Sequence, residues 1–328
     1  MKYDFITVGG ATRDISFFTD QGVLIDNQRD ILRQKLLAFE SGAKIKVDQF
    51  HYGYGGGAAN AAVNLAHFNF KTACLTTVGA DESGRLIIQN LKNRQVDASL
   101  VKTAKKETSG ASFILITPSG ERIIFGSRGA NRSLQISASD SKILKTAKNI
   151  YIASLSGKWE KVLRTVFSLT DRGKTKISWN PGATQYAQGI EKLAPYLKKT
   201  YVFSLNDDEA IELVLSSKKH RHLDKAFLSK PLNLIKIIKS FGPEIVVITL
   251  GTRGVLVYDG REIYFHKIIK EKKRVDTTGI GDIFNSSFVA GLELYHGDIN
   301  RAMILSLKNT AAKIAYLGAQ NGLMKFKK

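Results

Sequence analysis

The sequence predicts an α/β fold: a mostly parallel central sheet with helices on both faces, and a small separate β-sheet acting as a lid. Two observations carry this. Short apolar, β-rich runs alternate with segments of helical period along most of the chain, and that alternation implies a parallel sheet covered on both sides. Two stretches, Asp14–Asp48 and Ser109–Ser127, are strand-like without a crossover helix between their runs. They are read together as the lid, spanning about residues 14–50 and 108–127; over the strand ends it would keep water from a site.

In chain order, Phe5–Gly9 is a short apolar strand ending in Gly-Gly. Ala58–Phe68 has helical spacing through Ala62, Leu65 and Ala66, and Lys71–Val78 is a β-rich run. Glu82–Arg94 is an amphipathic helix through Leu86, Ile87 and Leu91. Asn149–Ala153, Thr175–Trp179, Tyr201–Leu205 and Glu244–Leu250 are further strands, each followed by helix-compatible sequence. Within the lid, ASFILITPSGERIIFGS is a hairpin with a Pro-Ser-Gly turn, and Val255–Tyr258 with Ile263–Lys267 forms another around Asp259-Gly260. Two helices close the chain, roughly Gly281–Tyr295 and Ile299–Leu317. In such a sheet, ligands belong at the carboxyl ends of the strands.

Composition removes several classes. Hydrophobic residues are 43% and charged residues 24% of the 328, which excludes disordered and fibrous chains. A single cysteine, Cys74, excludes an internal disulfide and a multi-cysteine metal site. The longest apolar runs, such as Ile245–Leu250, fall far short of the ~18 residues that span a bilayer. Asp4 stands where a secretory apolar region would have to be, so a soluble, cytoplasmic protein is expected, with no membrane partner. The formal charge is +20, which suits a polyanion (nucleic acid, nucleotide or phosphorylated substrate) as well as it suits a solvated lysine coat. Two basic clusters, Lys218–Arg221 and Lys270–Arg274, lack the interleaved aromatics of a single-strand stacking platform.

The sharpest local feature is Asp276-Thr277-Thr278-Gly279-Ile280-Gly281-Asp282-Ile283-Phe284, a small-residue loop running into an apolar helix. Glycines let the backbone approach a ligand, and the first-turn amides lack helical partners, so the segment is an anion site. Alone, Asp282 is an ordinary cap or dipole partner. Beside bound phosphate, a carboxylate has a second use, accepting the proton of a hydroxyl that attacks a phosphoryl group. Gly53–Ala58 formally satisfies G-x-G-x-x-A, but it does not close a leading strand, so a dinucleotide fold is rejected. No P-loop pattern occurs, and the six histidines lack metal-ligand spacing.

DTTGIGDIF resembles the C-terminal signature of the ribokinase-like (PfkB) carbohydrate kinases, D-T-x-G-A-G-D-x-F, departing at Ile280. Four further landmarks stand in the family's order. Gly55-Gly56-Gly57-Ala58-Ala59-Asn60 is similar to the N-terminal glycine signature and Asn206-Asp207-Asp208-Glu209 to N-x-x-E. Thr249-Leu250-Gly251-Thr252-Arg253-Gly254-Val255 resembles the nucleotide loop, and Asp14 follows the Gly9-Gly10 strand end. The resemblance runs from Phe5 to about Gly318, so residues 1–328 are expected to form a single kinase domain of three-layer ribokinase-like fold.

The resemblance implies ATP-dependent phosphorylation of a sugar or nucleoside hydroxyl. Asp282 would be the catalytic base and Gly279, Ile280 and Gly281 the anion hole, with the Ile280 side chain turned away. Asp14, Asn60, Gly56 and Gly57 would bind the acceptor. Asn206 and Glu209 would act on Mg²⁺-bound phosphates through water. Thr249, Gly251, Gly254 and Asn309 would line the ATP site. Arg128, after the lid hairpin, would reach the transferring phosphate or remain a surface residue. Asp276 and Thr278 are compatible with a monovalent cation such as K⁺. The lid offers strand edges for a homodimer. The competing reading is a non-catalytic kinase-fold scaffold or nucleic-acid-binding protein, for which the charge would be the motive.

Overall fold

The computed structural model describes residues 2–27, 35–47, 49–117, 122–169, 175–271 and 273–325. Six strands run parallel in the order Ile245–Thr249, Val202–Asn206, Lys176–Trp179, Ala147–Ile152, Tyr3–Val8, Thr72–Leu75. The hairpin Val255–Tyr258 and Ile263–His266 extends the first edge antiparallel, giving eight strands.

Most central strands are apolar on both faces because both are covered, although Lys176–Trp179 is apolar on one face only. Side chains alternate between two cores. Ile6, Val8, Ile150, Ile152, Val246 and Ile248 pack on one face, and Phe5, Tyr151 and Val247 on the other. Helices Trp159–Ser168, Ile190–Leu197, Asp207–Leu215 and Pro231–Ser240 cover the first face. Gly57–His67, Glu82–Asn93, Ile280–Leu294 and Ile299–Ile314 cover the second. Each fully buried aliphatic side chain contributes roughly 1.5–3 kcal/mol, so the three layers are held mainly by these two cores.

The winding direction positions the site. From Tyr3–Val8 the chain passes through helix Gly57–His67 to Thr72–Leu75 on one side, whereas Ala147–Ile152 and its successors lie on the other. The order therefore reverses between Tyr3–Val8 and Ala147–Ile152, and a crevice opens above their carboxyl ends.

The lid is a four-stranded sheet in the order Arg122–Ser127, Gly110–Ile116, Thr12–Phe18, Phe50–Gly55, with a two-stranded extension, Val23–Asp26 with Lys35–Ala38. The Gly110–Ser127 hairpin forms from its two apolar runs; its Pro-Ser-Gly turn, like Asp48 and Lys272, lies outside the described residues. Phe50–Gly55 is a strand although its polar-mixed sequence did not read as one. It is an edge strand facing solvent over Phe50–Tyr52, so the two-sided burial that makes strands legible is missing. It pairs antiparallel with Thr12–Phe18, which places the Gly53–Ala58 segment in a lid and not in a dinucleotide crevice. The β-rich run Lys71–Val78 divides: Thr72–Leu75 joins the main sheet, and Thr77–Gly79 pairs with Lys102–Ala104.

Candidate active site

Gly279 caps helix Ile280–Leu294 in the left-handed region, at φ 74°, and a Cβ there would stand 2.6 Å from the Ala319 Cβ. Only glycine makes this turn without strain. The Ile280 amide points to the Thr277 carbonyl at 3.3 Å, while those of Gly279, Gly281 and Asp282 bond to no described residue. Open amides at a helix start attract anions. Of the amides expected to form the anion hole, that of Ile280 is the one already bonded within the loop. Ile280 lines the cleft together with Gly281 and Phe284. Nothing stands within 4 Å of a Cβ built on Gly281, so this exposed position is the open approach to the amides.

Asp282 sits half-buried above the sheet crevice. A Cβ on Gly57 would lie 3.1 Å from its Oδ1 and 2.8 Å from Ala153 Cβ, at the end of Ala147–Ile152. Asn60 donates from Nδ2 to Asp282 Oδ2 at 2.8 Å, Gln320 donates to Asn60 Oδ1 at 3.0 Å, and Asn90 donates to Gln320 Oε1 at 2.8 Å. Burial pushes the Asp282 carboxyl above its ordinary value, and the Asn60 bond and the Arg122 charge partly offset this. A desolvated carboxylate held by Asn60 through one oxygen is poised to take a proton. Asn60 therefore stands differently from the expected sugar contact. It is buried, its carbonyl is bound by Gln320 and one amide hydrogen by Asp282.

Across the crevice, Asp14 lies on the inward face of lid strand Thr12–Phe18. Its even-numbered neighbours Thr12 and Ser16 are likewise buried. Thr12 donates to Asp14 Oδ1 at 2.7 Å. Burial pushes the Asp14 carboxyl up to about 6, with Asp282 and Asp276 adding to the rise. Glycines make the room: a Cβ on Gly55 would stand 2.1 Å from Asp14 Oδ2, and one on Gly56 would stand 2.5 Å from the Gly10 carbonyl. The turn between main sheet and lid is clamped by Asn131, whose side chain exchanges hydrogen bonds with the Ala11 amide and carbonyl at 3.0 and 2.9 Å. The sequence signal for Asn131 was its place in the RGAN segment, where attention went to Arg128. Arg128 is exposed. The lid arginine at the cleft is Arg122, which lines it and donates to the Thr277 hydroxyl of the anion-hole loop.

A cleft of about 420 Å³ leads away from Gly281, within the ~300–1,000 Å³ of small-molecule sites. Thr249, Gly251, Gly254 and Asn206 are among the residues that line it, with Val255, Ile268 and Leu307 as apolar wall. Gly254, at φ 119°, leaves no room for a Cβ, which would lie 2.1 Å from the His266 carbonyl. Asn206 and Glu209 form a capping box, Asn206 Oδ1 accepting from the Glu209 amide at 2.8 Å and Glu209 Oε2 from the Asn206 amide at 2.9 Å. Burial pushes the Glu209 carboxyl up to about 7. Asn309 corrects its expectation. It is fully buried, donating to Asn64 and Ser287 at 2.7 and 2.8 Å and accepting from the Met324 amide at 2.8 Å. The cleft face of its helix is Leu307, Thr310, Ala311 and Ile314, so helical phase turns Asn309 inward. Of the basic clusters, Lys270–Arg274 borders the cleft through Glu271 and Arg274, while Lys218, Lys219 and Arg221 are exposed in a turn beyond it.

An anion cradle, a basic carboxylate and a lidded crevice at a sheet switch point define a phosphotransferase with an alcohol as acceptor. The comparisons agree. The chain belongs to the pfkB family of carbohydrate kinases, whose family model matches residues 25–325. It is 29% identical over 262 residues to the ribokinase of Mus musculus, covering 78% of this chain and 75% of that protein. It is 24% identical over 318 residues to the ATP-dependent 6-phosphofructokinase of Thermoanaerobacterium thermosaccharolyticum, covering 92% and 93%. The structure of Arabidopsis thaliana ribokinase complexed with ribose and ATP matches with a TM-score of 0.78 at 19% identity, over 99% of this chain and 96% of that one. The protein is a sugar or nucleoside kinase. Among the described residues no helix is long and apolar enough to cross a membrane.

Proposed function

We propose that the protein transfers the γ-phosphate of ATP to a hydroxyl of a ribose- or fructose-type sugar or of a nucleoside, with Asp282 as general base. The observation that carries this is the placement of Asp282, desolvated and half-open, beside unbonded amides at its own helix start and opposite Asp14. The acceptor lies between lid and sheet, its vicinal hydroxyls donating to Asp14, which as a carboxylate accepts from two at once. Gly56 and Gly57 permit that approach. The attacking hydroxyl loses its proton to Asp282 as its oxygen bonds to the γ-phosphorus, and the bond to the leaving ADP breaks. The amides of Gly279, Gly281 and Asp282 hold the charge of the transferring group, and Arg122 supplies positive charge from the lid. ATP occupies the cleft lined by Thr249, Gly251 and Gly254.

Mg²⁺ fits this site. Asn206 lines the cleft, and the Glu209 carboxylate is tied to the Asn206 main-chain amide at 2.9 Å. Glu209 and Asn206 would hold the ion through water, which suits its reluctance to dehydrate; when bound it neutralises phosphate charge.

The test is ADP release from Mg·ATP with a panel of free sugars, sugar phosphates and nucleosides. Turnover on a free sugar or nucleoside is expected. Turnover confined to sugar phosphates would overturn the acceptor, and none at all, with salt-sensitive nucleic-acid binding, would overturn the enzyme reading.

The lid supports a homodimer. Its outer face carries Phe50, Tyr52, Phe113 and Phe125, all exposed and on one side of the sheet by register. A second copy would cover this patch isologously. Sedimentation should give a dimer that Phe113→Asp dissociates; a wild-type monomer at micromolar concentration would refute it.

A further inference from the structure

The resemblance implies a monovalent cation beside the anion hole, with Asp276 and Thr278 as its candidate holders, and the residues present do not fit one. Lys313, in the last turn of helix Ile299–Ile314, is fully buried, as is Asp276. The Lys313 ammonium donates to the Asp276 main-chain carbonyl at 2.8 Å and lies 3.7 Å from Asp276 Oδ2. The amides of Thr278 and Gly318 donate to the two carboxylate oxygens at 2.7 Å each. The carbonyl and carboxylate that a cation would coordinate already face a positive charge. A second cation against Asp276 would be repelled by that ammonium. The buried Thr278 hydroxyl makes no hydrogen bond, but one neutral oxygen does not make a cation site.

The pair also joins the loop to the helix. The amides of Val275 and Asp276 both donate to the Ile314 carbonyl, at 2.9 and 3.2 Å, so the helix end and the anion-hole loop share one set of bonds. Burial would raise the Asp276 carboxyl, yet the Lys313 charge and the bonds from Thr278 and Gly318 hold it below its ordinary value. Burial pulls Lys313 down to about 8 against the attraction of Asp276, with Arg122 adding to the fall, so it remains cationic at neutral pH. A lysine is almost never fully buried without a partner, and this one has the acid at the root of the loop.

We propose that the Lys313 ammonium is a built-in monovalent cation, a positioning residue that neutralises Asp276 and holds loop 276–281 in the shape that presents its amides, so that the enzyme needs no K⁺. Its effect on turnover rests on the kinase reading; its effect on cation binding does not. The test exchanges KCl for tetramethylammonium chloride at constant ionic strength. Wild-type melting temperature and kcat should not change. Lys313→Ala opens room for an ion. It should melt lower and lose at least tenfold in kcat in tetramethylammonium, then recover both saturably with K⁺. Lys313→Met keeps the volume without the charge, so it should lose turnover and not recover. A wild type stabilised or activated severalfold by K⁺ overturns the proposal. So does a folded Lys313→Ala indifferent to K⁺, or a Lys313→Met with full turnover. Should Lys313→Ala not fold in either salt, the other two proteins decide. Melting needs no acceptor, so a failed kinase assay leaves that arm standing.

Discussion

Asp282→Asn is expected to lower kcat by about 10²- to 10⁴-fold, the usual contribution of a positioned general base, while ATP affinity stays within a few-fold. The substitution is nearly isosteric, and an amide oxygen can still accept from Asn60, which now donates to Asp282 Oδ2 at 2.8 Å. The backbone amides of Gly281 and Asp282 are untouched, so the cradle for phosphate survives and only the proton acceptor is lost. The wild-type pH profile supplies a second readout. Burial raises the Asp282 carboxyl, and a base works only when deprotonated, so kcat should fall on the acid side with an apparent pKa above the ordinary carboxylate range. Rapid-quench measurement of the phosphorylated product from both proteins across pH decides it. A variant within fivefold of wild type would place the base elsewhere.

Asp14→Asn should do two opposite things. It removes an acceptor of two acceptor-substrate hydroxyls, raising KM by roughly 10–10²-fold, as expected for lost hydrogen bonds to a charged group. It should also stabilise the unliganded protein at pH 8. The folded-state pKa is about 6 against 3.8 for the free side chain. The native state therefore binds the proton more tightly than the unfolded state. Stability is highest below the unfolded value, falls as pH rises towards 6, and stays lower above it. The neutral amide escapes that loss and keeps the Thr12 hydroxyl bond, now 2.7 Å long. The gain is about 1–3 kcal/mol at pH 8, because a tenfold difference in proton affinity between the folded and unfolded chain is worth about 1.4 kcal/mol. It should vanish near pH 3.5. Thermal denaturation at the two pH values, together with KM, tests the pairing. Glu209, raised to about 7, adds to the wild-type slope but is common to both proteins, so their difference isolates Asp14. A variant with unaltered KM would remove Asp14 from the acceptor site.

Some of this was legible because it is local. Short apolar, β-rich runs marked the strands of the main sheet, most plainly where side chains are buried on both faces, as in Ile245–Thr249. Gly56 and Gly279 were readable from their glycine-rich motifs, and the structure gives them φ 88° and φ 74°, where glycine is favoured; Asp282 was readable because it follows the glycines of that loop. Phe50–Gly55 was not readable, because an exposed edge strand needs no apolar alternation.

The α/β class was readable from the alternating runs, the anion loop from its small residues before an apolar helix, and Asp14 only through the family resemblance. Side-chain direction and contacts across long separations came from the folded chain. Arg122, on the lid strand, reaches Thr277, whereas Arg128, one residue past that strand's end, is exposed. Helix phase turned Asn309 into the core. Asn60 binds Asp282 across 222 positions, and Gln320 reaches Asn60 across 260. A lysine near a helix end reads as solvated, yet Lys313 is fully buried beside Asp276. Propensity and periodicity act over a few residues, whereas desolvation and charge pairing depend on distances that exist only after the chain has folded.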